Sequence, residues 1–357
     1  MTARPSFNVW KNRRVLVTGH TGFKGGWLAA WLGLLGAEVS GFALAPDTDP
    51  NLFGVLGLDR RMRSILGDVR DAEALAHAVA ETRPEVVFHL AAQPLVRRSY
   101  RCPSATFAVN VQGTVNLLEA IRAQPSVKAV LVVTSDKVYA NDELGRPFRE
   151  GDPLGGHDPY SASKACAEIV CASWRDSFLA EAGILLASAR AGNVIGGGDW
   201  SEDRLVPDIA RTIGSGRPVV LRNPDSVRPW QHVLDATQGY LNLAARLLDG
   251  DRSAARGWNF GPGAGLVPVR EVANTMIAAW GQGSSIALPQ EGAPHEAALL
   301  MLDSSEAGRA LGWMPVLSIT EALHWTAEWY RAHAAEPAHA AALTQEQLQR
   351  MMDRLSS

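Results

Sequence analysis

A doubly wound α/β fold on a parallel sheet is what this 357-residue sequence predicts. Three observations predict it. Short aliphatic runs alternate with helical spacings through the first half, those runs are apolar on both faces, and a glycine-rich turn joins the first run to the first helix.

The elements follow in order. Val15 to Val17 reads as a buried strand, and from Phe23 to Leu35 apolar residues recur at helical spacing until Gly36, a helix C-terminal glycine. Val39 to Leu44 and Ser64 to Leu66 supply two more strands, and Asp71 is the expected N-cap of a helix reaching Glu81. Val86 to Leu90 is the fourth strand, Ser104 to Ile121 a helix, and Ala129 to Thr134 the fifth strand. A helix from Tyr160 to about Leu179 precedes a sixth strand, Ile184 to Arg190. Beyond Asn193 the pattern loosens into glycine- and proline-rich loops, as in a smaller mixed α/β domain, with Val219–Leu221 and Trp258–Phe260 candidates to rejoin the main sheet. From Thr320 the chain is helical and alanine-rich, with "HAAEPAHAAALTQEQ" expected to interrupt it as a linker.

Acids and bases are interspersed to a net charge of −3, which argues against a nucleic-acid or anionic-membrane partner. The N-terminal stretch lacks a signal-peptide pattern and no window has the length and apolarity of a membrane span, so a cytoplasmic protein is expected. Cys102, Cys166 and Cys171 show no metal-ligand spacing; no metal is expected, and free thiols fit a reducing compartment. Only five of the 34 cationic residues are lysines: Lys11, Lys24, Lys128, Lys137 and Lys164. Each therefore stands where arginine was not used.

"VLVTGHTGFKGGWL" sets Gly19, Gly22 and Gly25 in a GxxGxxG spacing between strand and helix, where backbone can approach a pyrophosphate at the positive end of the helix. Asp68 follows the third strand, placed to accept from an adenine amino group, and Ala91 and Ala92 follow the fourth, small enough for close approach. At the end of the second strand Ala45 stands where an acid for the adenosine ribose is usual, and Asp47 comes two residues later. No arginine lies in that turn for a 2′-phosphate, which favours NAD over NADP. "PYSASKACAE" puts Tyr160 and Lys164 at i, i+4, so that an ammonium beside a phenol would lower its pKa and let it take a hydroxyl proton.

With Ser135 and "NVQGTVNLLEA", which carries Asn110, these motifs resemble the extended short-chain dehydrogenase/reductase superfamily from about Arg13 to Trp313. The resemblance implies a Rossmann-like domain, a Ser135/Tyr160/Lys164 triad, NAD, and a C-terminal sugar-nucleotide domain. The cofactor contacts it implies are Gly19, His20, Thr21, Gly22, Phe23, Lys24, Gly25, Asp68, Val69, Leu90, Ala91, Ala92, Asn110 and Thr134, with Tyr160 and Lys164. Residues 1–190 would form the cofactor domain, with returns from about 215–260. Residues 191–330 would mainly hold the sugar nucleotide, and 331–357 would form a helical tail.

Within the superfamily, 4-epimerases carry small or apolar residues after the active-site serine or threonine, whereas 4,6-dehydratases carry an acid pair. Here Ser135 is followed by Asp136 and Lys137. "TSDK", "VTGHTGFKG", "RAGNVIGGGDW", "DRLVPD", "RPWQHV" and "PHEA" together resemble the CDP-glucose branch of the sugar-nucleotide 4,6-dehydratases. The resemblance makes Tyr160 the base at the sugar 4-hydroxyl and Asp136 the donor to the departing 6-hydroxyl. Lys137 either takes the C5 proton, which lysine can do and arginine cannot, or orients Asp136 and stabilises the enolate. It places the CDP-glucose contacts at Gln93, Asn193, Arg204, Leu205, Arg228, His232 and His295, with Arg228 as the bidentate diphosphate clamp. It suggests a homodimer, or a homotetramer, packed through the helices that start near Ser104 and Tyr160. A dehydratase or 4-epimerase of dTDP-, GDP- or UDP-sugars, and a non-catalytic NAD-binding regulator, are the competing expectations.

Overall fold

The computed structural model describes residues 7–141, 144–221, 223–262, 266–287 and 300–356. β1 (Arg14–Thr18), α1 (Phe23–Leu34) and β2 (Glu38–Ala43) open the chain, and short α2 (Leu52–Val55) leads to β3 (Arg63–Leu66). Then come α3 (Ala72–Thr82), capped by the Asp71 carboxylate, and β4 (Val86–His89). α4 (Val96–Arg101), α5 (Pro103–Phe107) and α6 (Gly113–Arg122) follow, with a π-turn at Ala108–Gln112 between the last two. β5 (Ala129–Val133), α7 (Pro159–Trp174) and β6 (Leu185–Arg190) complete the first half, and α7 runs on into a π-turn at Arg175–Leu179.

The second half holds β7 (Val194–Ile195), α8 (Leu205–Gly214), β8 (Val219–Leu221), β9 (Val227–Pro229), β10 (Gln231–His232) and α9 (Val233–Leu248). It continues with β11 (Gly257–Asn259), β12 (Leu266–Pro268), α10 (Val269–Trp280) and β13 (Ser285–Ala287). α11 (Ser305–Leu311), α12 (Ile319–Ala335) and α13 (Pro337–Ser356) end the chain.

Seven strands form one parallel sheet in the order β11-β6-β5-β4-β1-β2-β3. The order turns about β1 and β4, so a crevice opens where the connections diverge to opposite faces. Alternate residues of each strand serve different cores. Val15, Val17, Leu131 and Val133 face α1 and α9, while Leu16, Val130 and Val132 face α3, α6 and Cys171 of α7. With both faces covered, polar side chains reach a ligand only from strand ends and loops.

Two expectations are corrected. β11 joins the main sheet through β6, but β8 pairs with β13 apart from it. The interruption expected after α12 is a single extended residue, Glu336 (φ −161°, ψ 127°), since Pro337 opens α13 at a position where its missing N–H costs nothing. α12 and α13 pack into the core: Trp329 is buried and its Nε1 donates to Thr344 Oγ1 at 2.7 Å. Gly197, beyond β7, is wedged between that ring and α1. Its carbonyl accepts from Trp27 Nε1 at 2.9 Å, and a Cβ on it would lie 2.0 Å from the Trp329 ring. Gly197→Ala is therefore expected to lower stability by about 1–3 kcal/mol through overpacking. Denaturant unfolding measures this, and an unchanged midpoint would contradict the wedge.

Candidate active site

The turn from β1 to α1 needs glycine. Gly19 has φ +77°, and a Cβ there would stand 2.7 Å from Ala91 N and 2.8 Å from Leu90 C, so β1 and β4 meet at their ends only without a side chain. A Cβ on Gly25 would lie 2.1 Å from the Gly19 carbonyl oxygen. Gly22 caps α1 without a side-chain bond, which leaves the helix start to backbone N–H groups. That cradle fits a dinucleotide pyrophosphate. Thr18 Oγ1 accepts from Ala91 N at 3.3 Å, and Thr21 Oγ1 donates to Leu44 O at 2.9 Å, tying the turn to its neighbours.

Several expected contacts have other occupations. The His20 imidazole is buried behind the turn, 2.7 Å from Ser64 Oγ and filling the space left by Gly41, where a Cβ would touch the ring. Its side chain is scaffold. Val69 packs into the core beside Gly113, while its carbonyl accepts from Asn116. Asn110, presented by the π-turn, accepts from Gln93 N at 2.8 Å and donates to Gln93 O and Ser163 Oγ. It braces the β4 loop against α7. Asp68 remains at the sheet edge and is held below the ordinary carboxylate range by the Arg70 guanidinium. Asp47 pairs with Arg98 of α4 at 2.7 Å, so the fold does bring an arginine to that turn, already ion-paired.

Strand β5 delivers the reactive cluster. Thr134 and Ser135 leave the strand, and Asp136–Val138 make a 3₁₀ turn capped by Ser135, whose hydroxyl donates to Asp136 Oδ1 at 2.9 Å and accepts from Lys137 N at 3.2 Å. α7 starts from the Asp158 cap and Pro159, and sets Tyr160 within hydrogen-bond reach of Ser135. Asp136 is buried and lies close enough to Tyr160 and Lys24 to act on both. Gly192, at the end of β6, makes room for that carboxylate: a Cβ there would stand 2.1 Å from Asp136 Oδ2. Sequence singled out Asn193 beside it but not this glycine.

The titration expected of Tyr160 is reversed. Burial pushes the phenol up to about 12, against the hydrogen bond it shares with Ser135, and Asp136 pushes it further up while Arg204 pulls it down. Lys164 Nζ donates to the Val133 carbonyl at 3.0 Å. Burial lowers Lys164 itself to about 8, and lowers Lys24 to about 8 as well, helped by the Arg204 and Lys164 charges.

On the substrate side, Asn193 sits at φ 27° with its carbonyl accepting from Gln231 N at 3.3 Å, and Arg204 pairs with Asp199 at 3.0 Å immediately before Leu205 opens α8. Arg228 lies at the centre of β9, half-buried. Gln93 is folded onto its own loop, bonded to Leu95 and Thr106, and presents no free amide to a ligand. His232 is a correction: it is fully buried between Trp27 and Trp325, and its Nδ1 caps α9 by accepting from Leu234 N at 3.2 Å. His295 and its neighbour Glu296 lie outside the described residues. Arg97 and Arg101 of α4 reach Asp203 and Glu202, beside Arg204, at 3.5 and 2.9 Å.

Burial lowers His20 to about 4, and His89 and His232 to about 3, from the ordinary 6.5. The unfolded chain therefore takes up these protons first. The stability they contribute is complete above 6.5 and is lost as pH falls towards the folded values. Between pH 7 and pH 5 the loss is expected to reach up to about 2 kcal/mol per histidine. Denaturant midpoints at the two pH values measure it, and equal midpoints would contradict the burial of neutral rings.

The comparisons agree with this geometry. The family model described as GDP-mannose 4,6 dehydratase matches residues 16–326. The chain is 49% identical over 331 residues to a CDP-glucose 4,6-dehydratase of Salmonella typhimurium, covering 91% of this chain and 92% of that one. It is 30% identical to a dTDP-glucose 4,6-dehydratase of Streptomyces griseus, over 89% and 94% of the two chains. Among solved structures it resembles a dTDP-glucose 4,6-dehydratase of Streptomyces venezuelae with NAD and TYD bound (TM-score 0.74, 26% identity, 91% and 99% covered). It also resembles a Thermus thermophilus UDP-glucose 4-epimerase in complex with NAD (TM-score 0.76, 28% identity, 89% and 98% covered). With the model matching nearly the whole chain and the polar cluster assembled at the carboxyl ends of its strands, this chain belongs to the GDP-mannose 4,6 dehydratase family.

Proposed function

We propose that this chain is an NAD-dependent CDP-glucose 4,6-dehydratase, a hydro-lyase that converts CDP-D-glucose to CDP-4-keto-6-deoxy-D-glucose and water. The observation that carries the proposal is 49% identity, maintained along nearly the full length, to a relative of that activity. The Ser135–Asp136–Lys137 turn beside Tyr160 supports it.

When bound, NAD supplies an acceptor for the C4 hydride, its return to C6, and a positive ring that favours the Tyr160 phenolate. The chain's own groups do the rest. Tyr160 takes the 4-hydroxyl proton while Ser135 holds the same oxygen. The resulting ketone acidifies the C5 proton. Asp136, which must carry a proton at that moment, gives it to the departing 6-hydroxyl, and Gly192, lacking a Cβ, leaves the room its carboxyl occupies. Lys137 follows Asp136 in the same turn and takes the C5 proton, or steadies the enolate while another group does so, and C5 regains a proton as C6 receives the hydride. Arg204 and Arg228 are the cations for the diphosphate.

Incubation with CDP-glucose should give a product with the alkaline absorbance of a 4-keto-6-deoxy sugar, and none from dTDP-, UDP- or GDP-glucose; no product from CDP-glucose would overturn the proposal. Tyr160→Phe should keep NAD binding and lose turnover. In Lys137→Met, loss of solvent deuterium incorporation at C5 identifies the base, whereas near-normal elimination removes Lys137 from that role.

The proposal extends to organisation. Residues 1–190, rejoined by β11, hold the cofactor, and residues 191–330 mainly hold the sugar nucleotide. Three free cysteines support a reducing, cytoplasmic setting. Among the described residues no helix is long and apolar enough to cross a membrane. A homodimer through α5, α6 and α7 would cover Phe107 (37% exposed) and Ile169 (57% exposed), which lie on those helices. Light scattering should then give a dimer for the wild type and a monomer for Ile169→Asp, and a monomeric wild type would contradict the pairing.

A further inference from the structure

Beneath the reactive cluster lies a charged pair for which the reaction as described has no use. Glu168 and Arg190 meet at 2.8 Å with side chains only 3% and 6% exposed. Removing two ions from water costs several kcal/mol each, and apolar replacements of such pairs are often neutral or stabilising, so stability alone does not account for the pair. Glu168 stands one turn beyond Lys164 and two beyond Tyr160 on α7, so all three share a face.

Both carboxylate oxygens are engaged. Oε1 accepts from the Thr134 hydroxyl, and Oε2 accepts from Ser188 Oγ at 2.6 Å and Arg190 Nη2 at 2.8 Å. Burial opposes the charge on Glu168, but Arg190 and the two hydroxyls hold it below the ordinary glutamate range. Arg190 in turn donates through Nη1 to the Tyr139 hydroxyl at 2.7 Å and the Glu150 carbonyl at 3.1 Å. Tyr139 passes the chain on to Asn259 Oδ1 at 2.7 Å. Thr134 and Tyr139 are the two ends of the turn that carries Ser135, Asp136 and Lys137. One partner of the ion pair grips each end. Gly257 leaves the space the guanidinium needs, since a Cβ there would lie 2.5 Å from Nη2.

We infer that the Glu168–Arg190 pair is the positioning element of this site, holding the Thr134–Tyr139 turn in register with Tyr160 and Lys164. It acts through hydrogen bonds to the turn and through the charge that Glu168 sets below Lys164. The groups that face or act on Lys164 are Tyr160, Glu168 and Cys171 from its own helix, Lys24 from α1, and His89 and the Val133 carbonyl from the sheet. Cys171 and then Glu168 favour the ammonium, and Glu168 is the buried carboxylate of the two, so its removal lets Lys164 lose its proton at lower pH.

The inference rests on the dehydratase proposal, and two variants test it. Glu168→Gln keeps the shape and removes the charge; Thr134→Val removes only the hydroxyl link. Glu168→Gln is expected to lower kcat on CDP-glucose by about 10-fold or more, with KM within about two-fold, as for groups that orient reactive residues. The alkaline limb of its kcat profile should move to lower pH. Thr134→Val should lower kcat with that limb unmoved. A kcat within about two-fold of wild type in Thr134→Val, or an unmoved alkaline limb in Glu168→Gln, overturns the inference. If Glu168→Gln does not fold, Thr134→Val decides alone. The wild type, assayed beside them, separates the two proposals: absence of product there fails the dehydratase proposal. The pH dependence of Lys164 acylation by a small reagent, read by mass spectrometry, reports the charge coupling without turnover. Its midpoint should fall in Glu168→Gln, and an unchanged midpoint again overturns the inference.

Discussion

The contact between Gly19 and the end of β4 is the constraint from which the rest of the site follows. A backbone-to-backbone approach that a Cβ would close at 2.7 Å brings the first turn, the β4 loop and the start of α1 to one edge of the sheet. Because both sheet faces are buried, that edge is where polar side chains can meet a ligand. The same edge receives Ser135 and Asp136 from β5 and Asn193 from beyond β6. The helix carrying Tyr160 and Lys164 is fastened to it by the bond from Lys164 Nζ to Val133 O.

The electrostatics of that edge explain where a chain with five lysines keeps two of them. Lys24 and Lys164 are both lowered to about 8 by burial. An arginine in either place would keep its charge throughout the working pH range and would demand a fixed fork of acceptors. Tyr160, raised to about 12, needs a neighbouring positive charge before it can act as a base. Asp136 sits among these cations, with Gly192 shaped around its carboxylate. Charge balance in the cluster thus depends on small rearrangements of few groups, which is the setting in which a held turn matters.

Much of this was legible from sequence. Alternating aliphatic runs and helical spacing located β1 to β6 to within a residue or two, since period and burial are local properties of the chain. Gly19, Ser135, Tyr160 and Lys164 were legible because their chemistry requires fixed spacing at strand and helix ends. His232 was misassigned because its neighbours in sequence resemble a substrate loop, while its neighbours in space are two tryptophans from α1 and α12. The His20 side chain is turned by Ser64, 44 residues on, and the Gln93 amide by Leu95 and Thr106, partners that neither motif reveals. Glu168 could have been found by extending the Tyr160–Lys164 face one further turn. Arg190, and Arg98 beside Asp47, could not, because pairings 22 and 51 residues apart have no local signature.

The central claim is an internal hydride transfer from C4 to C6 coupled to loss of water. Turnover of CDP-glucose carrying deuterium at C4 tests it most directly. The label is expected at C6 of a 4-keto-6-deoxy product, without release to solvent. Label retained at C4 of a product that keeps its 6-hydroxyl would mark an epimerase and contradict the account.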